Sequence, residues 1–273
     1  MKLSIITINR NNAMGLERTM RSVRGQISQQ YEHIIVDGAS TDGSAEMISQ
    51  YAESAPYAVK WVSESDGGIY NAMNKGARMA CGDYLLFLNS GDALAADDVI
   101  EKALDVFSED SSSGTMFIGR VNVVNADGSI QRDVEMKQKE ITLFSLYLYG
   151  IPHQACFIPR TLMMQFPYDE SLKINADWKF FLEAIVMHGT SYRHVPLTVS
   201  DYDGTGISSV NTDLLLQERE QAFRNVIPVG IAKDYMKVFP HYYETYRVEW
   251  LLRHPFFYKV YRAWATLGMK FQR

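Results

Sequence analysis

Residues 33–44 read HIIVDGASTDGS, an apolar run that passes into an acidic turn and then into helix-capping residues. The first part, His33 to Val36, has the character of a buried strand, and Ser40 to Ser44 offers side chains that cap a following helix. The same strand–turn–helix unit recurs roughly every 25 residues, with further predicted strands at residues 3–8, 58–62 and 84–88.

This alternation predicts an α/β fold with a mostly parallel central sheet and helices on both faces. In open sheets of this kind, ligands bind outside the carboxyl ends of the strands. Polar residues follow all four predicted strands: Asn9-Arg10, Asp37, Asp66, and Asn89 with Asp92. We therefore expect a nucleotide site at this edge of the sheet.

The pattern changes in the second part of the chain. Apolar stretches at residues 115–124 and 130–134 flank the sequence NADG, which is typical of a hairpin turn. Helices are predicted at residues 140–149 and 177–187, and a strand at residues 192–195. The later elements therefore do not continue the regular strand–helix alternation.

The composition is that of a globular protein, with 47% hydrophobic and 22% charged residues. A net charge of −5 argues against general nucleic-acid binding. No apolar run approaches the roughly 18 residues of a membrane-spanning helix, and no signal peptide is recognised. Cys81 and Cys156 lack a CxxC spacing and lie beside apolar segments, so we expect both to be reduced and buried. These features favour a cytoplasmic location.

Acidic side chains at neighbouring strand ends suit the binding of a nucleotide sugar. A carboxylate accepts hydrogen bonds from a base N–H or from ribose hydroxyls, which is the role expected of Asp37 and Asp66. A diphosphate leaving group gains negative charge as its bond to the sugar breaks, and a divalent cation usually neutralises that charge. Asp92 is the natural ligand for Mn²⁺ or Mg²⁺, because both cations prefer oxygen donors. A single aspartate at a strand end is more often an ordinary turn residue, but recurrence at several consecutive strand ends favours a binding site.

Three ordered segments resemble motifs of glycosyltransferase family 2: VDGASTDGS at 36–44, ESDGGIYNAMNKG at 64–76 and GDYLLFLNSGD at 82–92. Two shorter ones, HQA at 153–155 and ADW at 176–178, are similar to the subgroup that builds exopolysaccharides such as colanic acid. The resemblance covers residues 2 to about 205. It implies a GT-A fold, an inverting mechanism, a UDP- or GDP-sugar donor, a divalent metal, and a saccharide acceptor that is often lipid-linked.

The resemblance also implies roles for single residues. Asp177 matches the family's catalytic base, which removes the proton of the acceptor hydroxyl, although an N-cap role is the alternative. Arg10 or Lys75 would face the phosphates, because Met73 stands where the family often has arginine. The other expected donor-site residues are Ile8, Asn9, Asp37, Asp66 and Asn89, the metal ligand is Asp92, and the candidates on the acceptor side are His153, Gln154 and Trp178. A structural role for His153 and a place in the core for Trp178 remain open.

The metal motif departs from the family pattern. The common motif is Asp-x-Asp-Asp, whereas residues 89–92 read NSGD and leave a single carboxylate. We therefore expect tight metal binding only when the nucleotide is present.

The end of the resemblance suggests a domain boundary near residue 205. We expect a GT-A domain at residues 1–205, with a nucleotide-binding half (1–95) and an acceptor-binding half (96–205), and a C-terminal helical extension at residues 206–273. The last 27 residues carry six basic side chains and one acid, Glu249. Apolar residues recur there at helical spacing (Phe257, Val260, Trp264, Leu267, Phe271), with basic ones opposite (Lys259, Arg262, Lys270, Arg273). Such a helix suits an anionic membrane surface; packing on the body or on a second copy is the alternative.

Two other classes of protein compete with a glycosyltransferase. A sugar-phosphate nucleotidyltransferase is expected to carry a glycine-rich, basic loop after the first strand, and Asn9-Arg10-Asn11-Asn12 contains no glycine. A non-catalytic nucleotide-sugar-binding protein is the second alternative, and the incomplete metal motif is its main support.

Overall fold

A computed structural model describes residues 2–110, 114–125, 129–134, 140–203 and 211–238, together with residues 254, 256 and 259. The chain forms two compact units, Met1–Glu220 and Gln221–Arg273. All of the site residues considered below belong to the first unit. The division at residue 205, and the roles of its two halves, stay predictions.

The first part of the chain builds four parallel strands in the order β3-β2-β1-β4. In the register of these strands, Asn9 pairs with Asp37, and Asp37 pairs with Ser63. Three strand ends therefore lie side by side. The elements are β1 (Leu3–Asn9), α1 (Ala13–Arg24), β2 (Tyr31–Asp37), α2 (Ser44–Ser54), β3 (Ala58–Ser63), α3 (Ile69–Met79) and β4 (Tyr84–Phe87).

The second part continues the same sheet, in the order β4-β8-β6-β9-β5, with β7 paired to β6. Strand β8 is antiparallel to both of its neighbours, whereas β6 and β9 are parallel. The elements are β5 (Ala93–Leu94), α4 (Val99–Glu109), β6 (Met116–Val124), β7 (Ile130–Val134), α5 (Leu143–Tyr149), a 3-10 turn (His153–Ala155), β8 (Cys156–Pro159), α6 (Arg160–Gln165), α7 (Ala176–Phe181) with a π-helical continuation (Leu182–Met187), β9 (Tyr192–Asp203), α8 (Thr212–Val226) and α9 (Val229–Val238).

The predicted α/β sheet with flanking helices is confirmed. Its parallel strands come from the first part of the chain, and the added strands make the complete sheet mixed. The hairpin of β6 and β7 is confirmed by their antiparallel pairing. The last strand is much longer than the predicted residues 192–195, because it pairs with β6 and then with β5.

Helix α3 packs very closely on the sheet. A Cβ atom at Gly76 would overlap the Ile6 side-chain methyl of β1. Glycine at this helix position therefore lets the α3 backbone approach the strands that end at the site, at a modest cost in helix propensity.

A buried histidine links β1, β2 and α2. His33 is fully buried, with Nε2 2.9 Å from Thr7 Oγ1 and Nδ1 2.9 Å from the Tyr51 hydroxyl oxygen. Because the Thr7 hydroxyl donates to the Leu88 carbonyl oxygen, Nε2 is the donor to Thr7 and Nδ1 accepts from Tyr51. Burial lowers the pKa of His33 to about 3.

This histidine predicts acid sensitivity. The unfolded imidazole takes up a proton below a pKa of about 6.5, whereas the folded one stays neutral to about pH 3. Its contribution to stability is therefore complete above pH 6.5 and is lost as the pH falls towards 3. Urea unfolding should give a free energy of unfolding about 2 kcal/mol lower at pH 5 than at pH 7 from this group alone. The His33→Asn variant should lack that difference, and the exposed-site variant His188→Asn should keep it. Equal pH dependence in wild type and His33→Asn would contradict this explanation.

The two cysteines differ. Cys156 is fully buried, as predicted, whereas Cys81 is exposed and the prediction of its burial is wrong. Cys81 lies in the turn between α3 and β4, where its Sγ is 3.0 Å from Lys60 Nζ.

The predicted basic amphipathic helix near the C-terminus lies outside the described residues, apart from isolated positions. Within the ranges that the structure describes, no helix combines the length and the apolar character needed to cross a bilayer.

Candidate active site

A cavity of about 520 Å³ opens at the carboxyl ends of β1 and β4. Nine of the predicted site residues line it: Ile8, Asn9, Arg10, Asp66, Asn89, Asp92, His153, Gln154 and Asp177. Three others, Asp37, Lys75 and Trp178, do not line it. The structure therefore brings together residues up to 169 positions apart in the chain. The three other predicted site residues do not reach the cavity.

Asp37 lies behind the cavity wall and is fully buried. Oδ1 accepts hydrogen bonds from Asn9 Nδ2 (2.8 Å) and the Ser40 hydroxyl (2.6 Å). Oδ2 accepts from the Ser40 backbone N–H (2.9 Å) and the Ser63 hydroxyl (2.6 Å). Burial alone would raise the pKa of Asp37, but these donors outweigh it and lower the pKa. The carboxylate is thus saturated by its own chain, and direct contact with a base, as expected from the sequence, is not what this structure offers.

The buried carboxylate sets the orientation of a residue that does line the cavity. An ionised Asp37 can only accept hydrogen bonds, so the Asn9 amide nitrogen must face it. Asn9 Oδ1 is left without a hydrogen-bond partner among the described residues. Asp37 therefore acts on the cavity through Asn9.

Lys75 is engaged by two acids of the loop after β3. Its Nζ lies 2.6 Å from Asp66 Oδ1 and 2.7 Å from Glu64 Oε1. Partial burial would lower the pKa of Lys75, but these carboxylates raise it. Lys75 thus holds the loop that carries Asp66. Arg10 and Lys173, both exposed, do line the cavity.

Asp177, in the first turn of α7, is the centre of a hydrogen-bonded group. Its Oδ2 lies 2.8 Å from His153 Nδ1, and its Oδ1 accepts from the Tyr70 hydroxyl (3.1 Å) and the Trp178 backbone N–H (2.9 Å). Burial would raise the pKa of Asp177, but the hydrogen bond and charge of His153 and the two other donors lower it. Burial and then the charge of Asp177 raise the pKa of Tyr70 well above its usual value. The group therefore contains an ionised carboxylate and a neutral phenol at neutral pH.

Helix α8 holds the loop that leads into α7. The buried Glu218 carboxylate accepts hydrogen bonds from the backbone N–H groups of Lys173 (2.8 Å) and Ile174 (3.0 Å). The Asn175 side chain donates to the Leu215 carbonyl oxygen (2.5 Å). These contacts fix the backbone immediately before Asp177.

The segment just past β4 lines the same cavity as the Asp177 group. Asn89 Nδ2, just past β4, lies 3.4 Å from His153 Nε2, and Asn89 Oδ1 is buried without a hydrogen-bond partner among the described residues. Asp92 is 4% exposed and lines the same cavity. In the described part of the chain, no three His, Cys, Asp or Glu side chains form a group that could hold a metal ion. A cation at Asp92 would therefore need oxygen ligands from the substrate.

Trp178 belongs to the core. It is 3% exposed, its Nε1 donates to the Leu146 carbonyl oxygen (2.9 Å), and the Arg219 guanidinium lies 5.3 Å from its ring centroid. Stacking of this ring on a sugar is thus not what the structure supports, and of the two roles left open by the sequence the core role is the one observed.

Several residues that line the cavity were not predicted as site residues, among them Tyr70, Lys173 and Tyr202. Tyr70 lies in the first turn of α3, directly after the strand-end segment that carries Asp66, and this position was a usable signal. Lys173 and Tyr202 had no local signal, because loops and strand ends far apart in the chain bring them to the site.

The mixed sheet with flanking helices is that of the GT-A class of folds. The chain belongs to glycosyl transferase family 2, whose family model matches residues 4–166. It is 33% identical to an uncharacterized glycosyltransferase of Mycobacterium tuberculosis, over 76% of this chain and 77% of the relative. The protein is therefore a sugar-transferring enzyme.

Solved structures show the same fold. TarS residues 1–349 of S. aureus in complex with UDP-GlcNAc align with a TM-score of 0.65 and 17% identity, over 85% of this chain and 69% of that one. The chain spans only 41% of a longer TarS chain. The mannosyltransferase PcManGT of Pyrobaculum calidifontis, in complex with GDP-Man and Mn²⁺, aligns with a TM-score of 0.60 and 18% identity, over 82% of this chain and 63% of that one.

Proposed function

We propose that this enzyme transfers a sugar from a nucleoside diphosphate sugar to a saccharide acceptor and inverts the anomeric carbon. The observation that supports this most directly is the position of the Asp177–His153 pair in the same cavity as the strand ends of β1 and β4. A donor at the strand ends and an activated hydroxyl beside the pair would meet inside one enclosure.

The donor site in this proposal consists of Ile8, Asn9, Arg10, Asp66 and Asn89. All five line the cavity, and Arg10 supplies a positive charge for phosphates at its exposed edge. The structural relatives in complex with UDP-GlcNAc and GDP-Man support a UDP- or GDP-sugar. Asp37 and Lys75 contribute indirectly, by orienting Asn9 and the Asp66 loop.

A divalent cation fits this site only in part. Asp92 would hold Mn²⁺ or Mg²⁺ through its carboxylate, with the diphosphate oxygens as further ligands. The bound cation would neutralise the charge that develops on the diphosphate leaving group. The presence of Mn²⁺ together with GDP-Man in the PcManGT complex supports this assignment.

The proposed chemistry is a single displacement. The acceptor hydroxyl loses its proton to the Asp177–His153 pair and attacks the anomeric carbon opposite the diphosphate. No covalent bond to the enzyme forms, so one displacement inverts the configuration. His153 and Gln154 would border the acceptor, because both line the cavity beside Asp177.

The sequence motifs support a proposal about the pathway and the cellular location of this enzyme. Similarity to the exopolysaccharide subgroup supports a role in surface polysaccharide synthesis with a lipid-linked acceptor, in the cytoplasm at the inner face of a membrane. The basic amphipathic segment at residues 255–273 would supply the membrane contact; apart from isolated positions it lies outside the described residues.

Ligand-dependent stability tests the donor and metal assignments. Mn²⁺ alone should shift the melting temperature little, whereas UDP or GDP with Mn²⁺ should raise it, because a ligand at 100 times its Kd stabilises by about 2.7 kcal/mol. Asp92→Asn should lose the effect of Mn²⁺ on nucleotide binding, and Asp105→Asn, on the exposed face of α4, should not.

Release of nucleoside diphosphate from a panel of UDP- and GDP-sugars then separates an enzyme from a binding protein. Binding without any turnover would favour the non-catalytic alternative, for which the single carboxylate of the metal motif is the supporting observation. Tight Mn²⁺ binding without nucleotide would show that the metal site is not the one proposed.

A further inference from the structure

Tyr70 connects the segment that carries Asp66 to the proposed base. It lies in the first turn of α3, four residues after Asp66, and its hydroxyl oxygen is 3.1 Å from Asp177 Oδ1. Tyr70 is 5% exposed, and its burial together with the charge of Asp177 raises the pKa of the phenol well above its usual value. The phenol therefore keeps its proton at neutral pH and donates it to the carboxylate in a hydrogen bond.

Further hydrogen bonds fasten α3 to the segment before α7. Asn74 Nδ2 donates to the Tyr168 carbonyl oxygen (2.8 Å), and Asn74 Oδ1 accepts from the Tyr168 backbone N–H (3.0 Å). The Glu170 carboxylate accepts from the side-chain amides of Asn71 (2.6 Å) and Asn74 (2.9 Å). The helix that carries the phenol is thus fixed to the stretch of chain that leads to Asp177.

The two oxygens of the Asp177 carboxylate have different surroundings. Oδ1 accepts from the Tyr70 hydroxyl and the Trp178 backbone N–H, which together use both of its lone pairs. Among the described residues, Oδ2 accepts only from His153 Nδ1, at 2.8 Å, so that one of its lone pairs is left. The Asp177 side chain is 19% exposed and lines the cavity. Oδ2 is therefore the oxygen that can take up a further hydrogen bond.

We propose that Tyr70 is a positioning residue for sugar transfer: its hydroxyl fixes Oδ1 of Asp177 and thereby directs the remaining lone pair of Oδ2 towards the acceptor hydroxyl. The role rests on the proposed function, in which the Asp177 carboxylate takes the proton. In the transfer step the acceptor's proton moves to Oδ2 while its oxygen bonds to the anomeric carbon. The bond from that carbon to the diphosphate breaks, and its electron pair leaves with the nucleotide. Asp177 returns the proton to solvent after the products leave.

The hydrogen bond from Tyr70 has two opposite effects on the base. It stabilises the ionised form and contributes to the lowered pKa of Asp177, which by itself makes the carboxylate a weaker base. A change of about one unit in the pKa of a general base alters the rate by less than about tenfold. The same hydrogen bond restricts rotation of the carboxylate, and a displacement of about 1 Å at a reacting group costs about 10²-fold in rate. Loss of the phenol hydroxyl should therefore slow the reaction.

The first test compares Tyr70→Phe with wild type by the release of UDP or GDP from UDP-GlcNAc, UDP-glucose and GDP-mannose with Mn²⁺, with water as the acceptor. The variant should lower kcat about tenfold and leave the KM of the donor unchanged. Tyr168→Phe is the matched control, because it removes a phenol hydroxyl without a described partner from a ring 5.4 Å from that of Tyr70. Its kcat should stay within about twofold of wild type. A Tyr70→Phe enzyme with a kcat within about twofold of wild type, or above it, overturns the inference.

The second test asks whether Tyr70 acts through Asp177. In Asp177→Asn the charged group that Tyr70 positions is gone, so the addition of Tyr70→Phe should change the residual kcat by less than about twofold. A residue that only supports the shape of the cavity would cause the same loss in both backgrounds. An equal loss of about tenfold in wild type and in Asp177→Asn therefore overturns the inference.

The third test does not depend on the choice of donor. Tyr70→Phe should lower the melting temperature of wild type by about 3 °C, because the hydrogen bond to a charged group is lost. It should change that of Asp177→Ala by less than about 1 °C, because the acceptor is already absent. Equal shifts in the two backgrounds would show that the phenol and the carboxylate are not coupled, and would overturn the inference. If wild type neither binds UDP or GDP nor releases nucleotide from any donor, the proposed function fails, and the melting temperatures still decide whether Tyr70 and Asp177 interact.

Discussion

Replacing Asp177 with asparagine is expected to reduce nucleotide-sugar turnover by a factor of about 10³ to 10⁴. The substitution keeps the shape of the side chain but removes its charge. An amide nitrogen facing His153 would also force the ring proton onto Nε2, the nitrogen that borders the cavity. Both effects remove the proton acceptor, whichever atom of the pair takes the proton.

The matched control is Asp169→Asn in the loop before α7. Asp169 is ion-paired with Lys179 (2.8 Å) and does not line the cavity, so its turnover should stay within about threefold of wild type. Release of UDP or GDP measures turnover, and calorimetry with the free nucleotide should show similar Kd values for both variants. An Asp177→Asn enzyme that keeps a tenth or more of wild-type turnover would exclude this carboxylate from the chemistry.

Replacing Asp37 with alanine is expected to lower the free energy of unfolding by about 3 to 5 kcal/mol. The change leaves four donors, from Asn9, Ser40 and Ser63, without the acceptor that now satisfies them. These donors belong to the ends of β1 and β3 and to the loop after β2, so the substitution weakens the contacts that hold these three segments together at the site. Urea unfolding at pH 7 measures the change, and the melting temperature should fall by about 10 °C.

A surface aspartate provides the comparison for this variant. Asp105 is exposed on α4, and Asp105→Ala should change the free energy of unfolding by less than about 0.5 kcal/mol. UDP affinity should also fall in Asp37→Ala, because the Asn9 amide loses the contact that orients it. A loss of stability below about 1 kcal/mol would mean that water replaces the carboxylate, and that Asp37 is not the anchor described here.

The order of elements in the first part of the sheet could be predicted from local pattern alone. Buried parallel strands appear as short β-branched runs, and each is followed by turn and capping residues. The position of each strand can therefore be predicted from a short, continuous stretch of sequence. The extent of β9 could not be predicted in this way. Its length depends on pairing with β6 and β5, which lie about 75 and 105 residues earlier in the chain.

The sequence predicted most of the residues that line the site, but not which side chains contact one another there. Polar residues at strand ends converge because parallel strands present their carboxyl ends on one edge, and nine of the predicted residues line one cavity there. Whether a given carboxylate faces that cavity depends on its neighbours. Asp37 is enclosed by donors from β1 and β3, and Lys75 is neutralised by Glu64 and Asp66, so neither faces the cavity although both belong to the right motifs.

By itself, the sequence determined the family, the α/β fold and the strand ends at which a donor would bind, because these depend on residue types at short spacings. Only the tertiary structure decided which side chains meet. The His153–Asp177 pair and the Tyr70–Asp177 contact join positions 24 and 107 residues apart, and the packing of Trp178 removes its ring from the cavity. Hydrogen bonds act over about 3 Å, and no local pattern records which distant elements folding will bring within that range.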